Sequence, residues 1–367
     1  MNIVLFIHSL GDGGAERVCS YIANYLSGPG HDVVLVTIDG FSENDYQLDP
    51  RVRRVSLDMA KQSDNVVDAV VSNSKLVVKL KAVLRDCQAD AVLSFMTRAN
   101  VICAISCAII DTYHVAAERN FPGMDNQGKL WNKLRKLSYG FADVVVAQTD
   151  KGRSWLETET SAKRVVTIPN PIIYPLPVSG NVSSEKHEIA IGKFVLAVGR
   201  LTPQKQFDQL IKAFAALSDE HAHWRLIILG DGAERSNLQK LASDLGVGTR
   251  VSLPGRVQDV GEWYERADIF VLSSRYEGFP NALAEAMSYG LPVVSYDCDT
   301  GPSELIEHGV NGYLVEPNNE QKMSQSILQL MLDDSLRVRF GKEAEKVRST
   351  FAFDEVMKMW ARLLPNG

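Results

Sequence analysis

Two doubly wound α/β domains in one chain are what the sequence predicts, on three observations: short β-branched runs alternate with longer helix-like stretches, a Pro-rich and polar interval breaks the alternation, and it then restarts. The first series of strands is Ile3–Ile7, Val33–Ile38, Ala91–Phe95, Val115–Glu118, Val144–Gln148 and Val165–Ile168. Their near-continuous apolar character is that of parallel strands covered on both faces. The break runs from Pro169 through Pro171, Pro175, Pro177 and Gly180 into a tract of Asn, Ser, Glu and Lys. The second series is Phe194–Val198, Leu226–Leu229, Val251–Leu253, Ile269–Leu272, Val293–Ser295 and Tyr313–Val315. The expected organisation is therefore two Rossmann-like halves, over 1–170 and 194–350, joined by a linker over 171–193. The closing helical pattern over about 351–367, with Trp360, has no strand after it and is expected to return to the first domain.

Composition narrows the function classes. At 367 residues the chain is of two-domain size, and 45% hydrophobic with 23% charged residues is a globular balance. A formal net charge of −6 argues against a general nucleic-acid binder, so any bound anion must be met by local cations. Cys19, Cys87, Cys103, Cys107 and Cys298 are odd in number and have neither zinc-site nor disulfide-framework spacing. They read as reduced. Met1–Ile7 carries no basic leader, and the longest apolar run, Val101–Ile110, spans ten residues, well short of the roughly 20 of a membrane helix. A cytoplasmic protein is expected.

Ligands of open α/β sheets bind beyond the carboxyl ends of the strands, so chemistry is sought in those loops. Gly199-Arg200-Leu201-Thr202-Pro203-Gln204-Lys205 puts a guanidinium fork and an ammonium at one strand end, a clamp suited to a diphosphate. Gly230-Asp231-Gly232 and Gly255-Arg256-Val257 follow the next two strands, where glycine lets main chain approach a flat ligand. The most specific segment is Glu277-Gly278-Phe279-Pro280-Asn281-Ala282-Leu283-Ala284-Glu285. Here strand, turn and helix start follow without slack, Pro280 suits a first helical position, and first-turn amides can meet an anionic or hydroxyl-rich ligand. Glu277 lies before the turn and Glu285 inside the helix, so that one carboxylate can address a sugar while the other reaches ribose hydroxyls. Asp297-Cys298-Asp299-Thr300-Gly301-Pro302-Ser303-Glu304, after the following strand, is supporting only.

With these segments in view, the chain resembles, over essentially its whole length, the retaining family 4 glycosyltransferases of the GT-B fold, two Rossmann-like domains facing across a cleft. The resemblance rests on Gly199-Arg200-Leu201 with Lys205, the Glu277-to-Glu285 signature, Gly290-Leu291-Pro292-Val293-Val294, Gly11-Asp12-Gly13-Gly14-Ala15-Glu16-Arg17 and Pro169-Asn170-Pro171. It implies that Arg200 and Lys205 hold a donor diphosphate, Glu277 the transferred sugar, Glu285 the ribose, and the main chain at Arg256 and Val257 the base. Gly13, Gly14, Gly255, Gly278, Phe279, Pro280, Asn281 and Ala282 join them as donor-binding positions. Arg200, Lys205 and Glu277 are expected to carry catalysis without metal or other cofactor. Where many relatives place a histidine, this chain has Ala117-Glu118-Arg119-Asn120, similar to a subset of bacterial polysaccharide and lipid-linked oligosaccharide assembly transferases. Arg119 is expected to steady phosphate charge, with Glu118 as its partner or as an acceptor-side group, and His114 to be a packed or surface residue.

The implied partners are a nucleotide sugar, UDP-linked by expectation, and a saccharide acceptor on polyprenyl diphosphate. An epimerase or hydrolase of sugar nucleotides could share the same two-domain form and separates from a transferase by converting donor without acceptor; a non-catalytic sensor separates by binding without turnover. Lys129, Lys133, Arg135 and Lys136 lie on a helical stretch opposite a stripe of Leu130, Trp131, Leu134, Leu137 and Phe141. Two readings stand: an ordinary helix with its stripe in the core, or docking on an anionic inner-membrane surface.

Overall fold

The computed structural model describes residues 1–365 apart from 12, 29, 44, 60–65, 125–127, 178–191, 218–220 and 258, with backbone alone at 66, 67 and 69. Most of the expected linker, from 178 to 191, lies outside the described residues. Two compact units result, Met1–Pro171 with Phe353–Gly367, and Ile172–Ala352.

In the first unit the chain runs β1 (Asn2–Ile7), α1 (Gly14–Ser27), β2 (Asp32–Thr37), β3 (Arg53–Ser56), α2 (Val66–Asp86), β4 (Ala91–Phe95), α3 (Thr97–Ile110), β5 (Tyr113–Ala117), α4 (Lys129–Ser138), β6 (Val144–Ala147), α5 (Asp150–Glu159) and β7 (Val165–Thr167). The parallel sheet has the order β3-β2-β1-β4-β5-β6-β7. Alternate residues of β1 serve opposite faces: Ile3, Leu5 and Ile7 meet α1, while Val4 and Phe6 meet α2 and α3. The edge strand β3, of sequence Arg-Arg-Val-Ser, has only one apolar residue and is absent from the expected set; its pairing with β2 defines it.

The second unit runs β8 (Phe194–Val198), α6 (Phe207–Ala215), β9 (Arg225–Leu229), α7 (Arg235–Asp244), β10 (Val251–Gly255), α8 (Val260–Arg266), β11 (Ile269–Leu272), α9 (Asn281–Ser288), β12 (Val293–Tyr296), α10 (Pro302–Leu305), β13 (Gly312–Val315), α11 (Glu320–Leu332), α12 (Asp334–Ala344) and α13 (Val347–Thr350). Its sheet order is β10-β9-β8-β11-β12-β13, again parallel. The final helix α14 (Phe353–Ala361) belongs to the first unit. Trp360 is fully buried there, its ring 5.8 Å from that of Phe95. Burial of so large an apolar surface is what brings the chain end back.

Strand order reverses once in each sheet, between β1 and β4 and between β8 and β11. Helices leave the two flanking strands towards opposite faces at such a reversal and open a crevice above the strand ends.

Candidate active site

Arg200 and Lys205 come from the loop after β8, Glu277 from the loop after β11, so all three stand at the reversal of the second sheet. Lys205 Nζ lies 2.6 Å from Glu277 Oε1, an ion pair whose side chains are 16% and 9% exposed. The stem of Lys205 runs against Gly199, where an added Cβ would meet its Cε at 3.1 Å. Gly230 and Gly232 press on the same loop: a Cβ at Gly230, φ +130°, would stand 2.0 Å from Gly199 O, and one at Gly232 2.4 Å from Leu201 O. These glycines are needed because two backbones touch there. Arg200 is exposed beside the pair in sequence and free of the core.

The two loops are laced together. Arg275 N–H donates to Gln204 O at 2.8 Å, Gln204 Nε2 to Tyr276 O at 2.9 Å, and Ser273 Oγ to Lys205 O at 2.7 Å. Buried Thr300 adds a hydroxyl donated to Glu277 O, and a Cβ at Gly301 would meet Pro280 Cδ at 2.4 Å. The segment 297–304, only supporting in the sequence, thus backs the glutamate turn. Nearby Cys298 is buried, and burial first, then the Glu277 charge, pushes its thiol up to about 12, which makes it inert packing.

Pro280 is the cap before α9 rather than its first residue. The Asn281 amide is already engaged by Phe279 O at 2.9 Å, so it is not among the amides left for a ligand. Buried Gly278 and Phe279 form the turn, with the Phe279 ring set edge-on to Phe351 at 5.6 Å. Half-buried Ala282 and Glu285 lie on α9, and Glu285 Oε2 accepts from Tyr264 OH at 3.2 Å, a partner that the sequence reading missed. At the end of β10, Gly255 takes φ +101° and accepts from Gly230 N–H; Arg256 beyond it is exposed and Val257 half-buried.

In the first unit Gly13 caps α1 and Gly14 begins it. A Cβ at Gly13 would stand 1.8 Å from Glu16 Oε2, so this carboxylate folds over the helix start. Arg119 is 5% exposed and donates through Nη2 to Asn170 Oδ1, while its Nε and Nη1 have no hydrogen-bond partner among the described residues. Burial lowers its pKa to about 10. The expected partnership of Glu118 with Arg119 is corrected: consecutive residues of an extended chain point to opposite faces. Glu118, 2% exposed, instead accepts from Tyr139 OH and from Thr97 Oγ1 at 3.2 Å, with Arg135 Nη1 at 3.8 Å. It is a core carboxylate, not an acceptor-side group. His114 is fully buried, its Nε2 2.8 Å from Ser94 Oγ, and burial lowers its pKa to about 3.

The α4 stretch inverts the ordinary amphipathic arrangement. Leu130, Leu137 and Phe141 are 55%, 60% and 59% exposed, alongside exposed Lys129, Lys133 and Lys136; Trp131 and Leu134 are half-buried. Arg135 is corrected from the membrane set: it is 1% exposed, donates to Pro122 O at 3.1 Å and stacks on Trp155 at 5.1 Å. Lys136 is paired with Glu159 at 2.6 Å. No helix among the described residues is long and apolar enough to cross a membrane.

Comparison with known proteins matches residues 182–347 to the family of glycosyl transferases group 1 and residues 12–173 to Glycosyltransferase Family 4. The chain is 31% identical over 360 residues, 96% of its length and 95% of the relative's, to N-acetylgalactosamine-N,N'-diacetylbacillosaminyl-diphospho-undecaprenol 4-alpha-N-acetylgalactosaminyltransferase of Campylobacter jejuni. It is 27% identical over 380 residues, 96% of each chain, to the amylovoran biosynthesis glycosyltransferase of Erwinia amylovora. The solved structure of Anabaena HepE in complex with UDP shares its fold, with a TM-score of 0.80 at 20% identity over 99% of each chain. With two parallel α/β units of GT-B architecture and both family models satisfied, the chain belongs to the family 4, group 1 glycosyltransferases.

Proposed function

We propose that this transferase moves a hexose or N-acetylhexosamine, with retention of anomeric configuration, from a UDP-sugar to a saccharide carried on polyprenyl diphosphate, in cell-surface glycan assembly. The observation that carries the donor reading is the Lys205–Glu277 pair at the second sheet's reversal, with Arg200 in the same loop. Cleaving the bond between the anomeric carbon and the diphosphate oxygen builds positive charge on carbon and negative charge on the departing diphosphate. Fixed cations at that oxygen act on the transition state without reorganising. Arg200 and Lys205 take the diphosphate. Glu277, held by its backbone on Thr300, takes the sugar, and Glu285, tethered to Tyr264, the ribose. The backbone at Gly255, Arg256 and Val257 takes the base, and Arg119 is assigned to phosphate charge on the acceptor side. No metal is assigned a part.

The acceptor class is supported by the undecaprenol-linked substrate named for the Campylobacter relative and by α4. A helix and following turn that leave Leu130, Leu137 and Phe141 in water beside Lys129, Lys133 and Lys136 are suited to lie in an anionic lipid interface. The test is a transfer assay that crosses a panel of UDP- and GDP-sugars with prenyl-diphosphate saccharides. A UDP-sugar consumed slowly alone and fast with one acceptor supports the reading; consumption indifferent to acceptor indicates an epimerase or hydrolase instead.

A further inference from the structure

The first sheet has its own reversal, between β1 and β4, and the residues just beyond those strand ends include a guanidinium, Arg98, and an imidazole, His8, with no part in the site above. Parallel pairing of Phe6 with Ser94 carries the chain on to His8 on one strand and Met96 on the other. Met96 takes φ +76° and ψ 148°, a conformation that side-chain-bearing residues avoid, and its N–H donates to Ala117 O. Immediately after this turn, half-buried Arg98 donates through Nε and Nη2 to Asn73 Oδ1 at 3.2 and 3.1 Å. Among the described residues no ion pair involves Arg98. Burial lowers its pKa. The imidazole of His8 is depressed by burial and then by the Arg98 charge, which leaves it neutral with an N–H to offer. Asp39, the acidic neighbour of His8, is exposed and turned back on the Gly40 amide at 2.8 Å.

A guanidinium braced on a neutral amide keeps its net charge and its remaining N–H donors for something else. We propose that Arg98, held by Asn73 and flanked by His8 at the β1/β4 reversal, is the subsite for the diphosphate of the lipid-linked acceptor. This rests on the acceptor reading above. The subsite lies wholly within the first unit, and the donor cations lie in the second. Acceptor and donor binding should therefore respond to different substitutions.

The experiment is calorimetric binding of inorganic pyrophosphate to the full chain saturated with UDP, for wild type, Arg98→Ala, Arg98→Lys and Asn73→Ala, each first checked for cooperative unfolding. Wild type should bind, Arg98→Ala should weaken binding by at least about tenfold, and Arg98→Lys and Asn73→Ala should fall between, because charge without the fork, or fork without its brace, keeps part of the site. Absence of pyrophosphate binding beside UDP, or equal binding by Arg98→Ala, overturns the subsite. In transfer assays Arg98→Ala should raise KM for the prenyl-diphosphate saccharide and leave KM for the donor unchanged; the reverse pattern also overturns it. Unchanged partitioning of Arg98→Ala onto phosphatidylglycerol vesicles is expected, and a loss there assigns Arg98 to headgroups instead. If pyrophosphate binds through Arg98 but no diphosphate-linked acceptor is ever glycosylated, the acceptor reading fails while the anion subsite stands.

Discussion

In the second unit the lysine at the strand-order reversal, Lys205, is closed onto a carboxylate 2.6 Å away, whereas in the first unit Arg98 rests on the neutral amide of Asn73 at 3.1 and 3.2 Å. The two sheets share parallel pairing and the same kind of reversal, so the difference lies in side chains, not architecture. A paired ammonium presents little net field until a ligand competes with its partner; a guanidinium on an amide presents its full charge at once. The Lys205–Glu277 arrangement suits a site where charge is to be redistributed during reaction, and the Arg98–Asn73 arrangement suits one that only holds.

The largest effect expected from this contrast is at Lys205. Its removal strands a carboxylate whose side chain is 9% exposed. Lys205→Ala should therefore cost about 3–5 kcal/mol of stability and slow transfer by roughly 10²–10³-fold. Adding Glu277→Gln should restore most of the stability, read by denaturant unfolding, and none of the transfer. A double variant as unstable as the single one would mean that the ion pair is not what Lys205 supplies to the fold.

Next in size is α4. Neutralising Lys129, Lys133 and Lys136 together should lower partitioning onto anionic vesicles by about two orders of magnitude, at ~1 kcal/mol per lysine. Lys136 contributes least, because Glu159 already holds it. Partitioning should also fall with salt. Equal binding to neutral and anionic vesicles would remove the lysines from the account.

A smaller effect separates buried from functional histidine. With a pKa near 3 in the folded state against 6.5 unfolded, His114 makes the unfolded chain bind the extra proton between those values. Stability therefore rises with pH through that window and is lost as pH falls through it, by up to about 1.4 kcal/mol per pH unit. His114→Gln should flatten that slope in urea titrations from pH 6.5 to 4. An unchanged slope would place the acid sensitivity elsewhere. Smallest of all, chelation of divalent metal should leave transfer unchanged; inactivation reversed by magnesium or manganese would contradict a clamp made of Arg200 and Lys205.

The strands were legible because buried parallel strands concentrate β-branched residues; β3, with Arg53, Arg54 and Ser56, has no such run. Lys205 and Glu277 were legible as a site because both follow strands at short range. Their contact, 72 positions apart, was not, since it depends on β8 lying beside β11. The same dependence hid Arg98 and His8. Glu118 and Arg135 misled for one reason: a charged residue in a loop or on a polar helix face reads as solvent-facing until a buried partner across the fold is known.

The central claim, that the second unit binds the donor and Glu277 acts on its sugar, is tested most directly by measuring Glu277→Ala twice, for UDP affinity by calorimetry and for transfer under saturating donor and acceptor. The account predicts a dissociation constant close to wild type with transfer reduced by roughly 10²–10³-fold. Near-normal transfer by Glu277→Ala would contradict it.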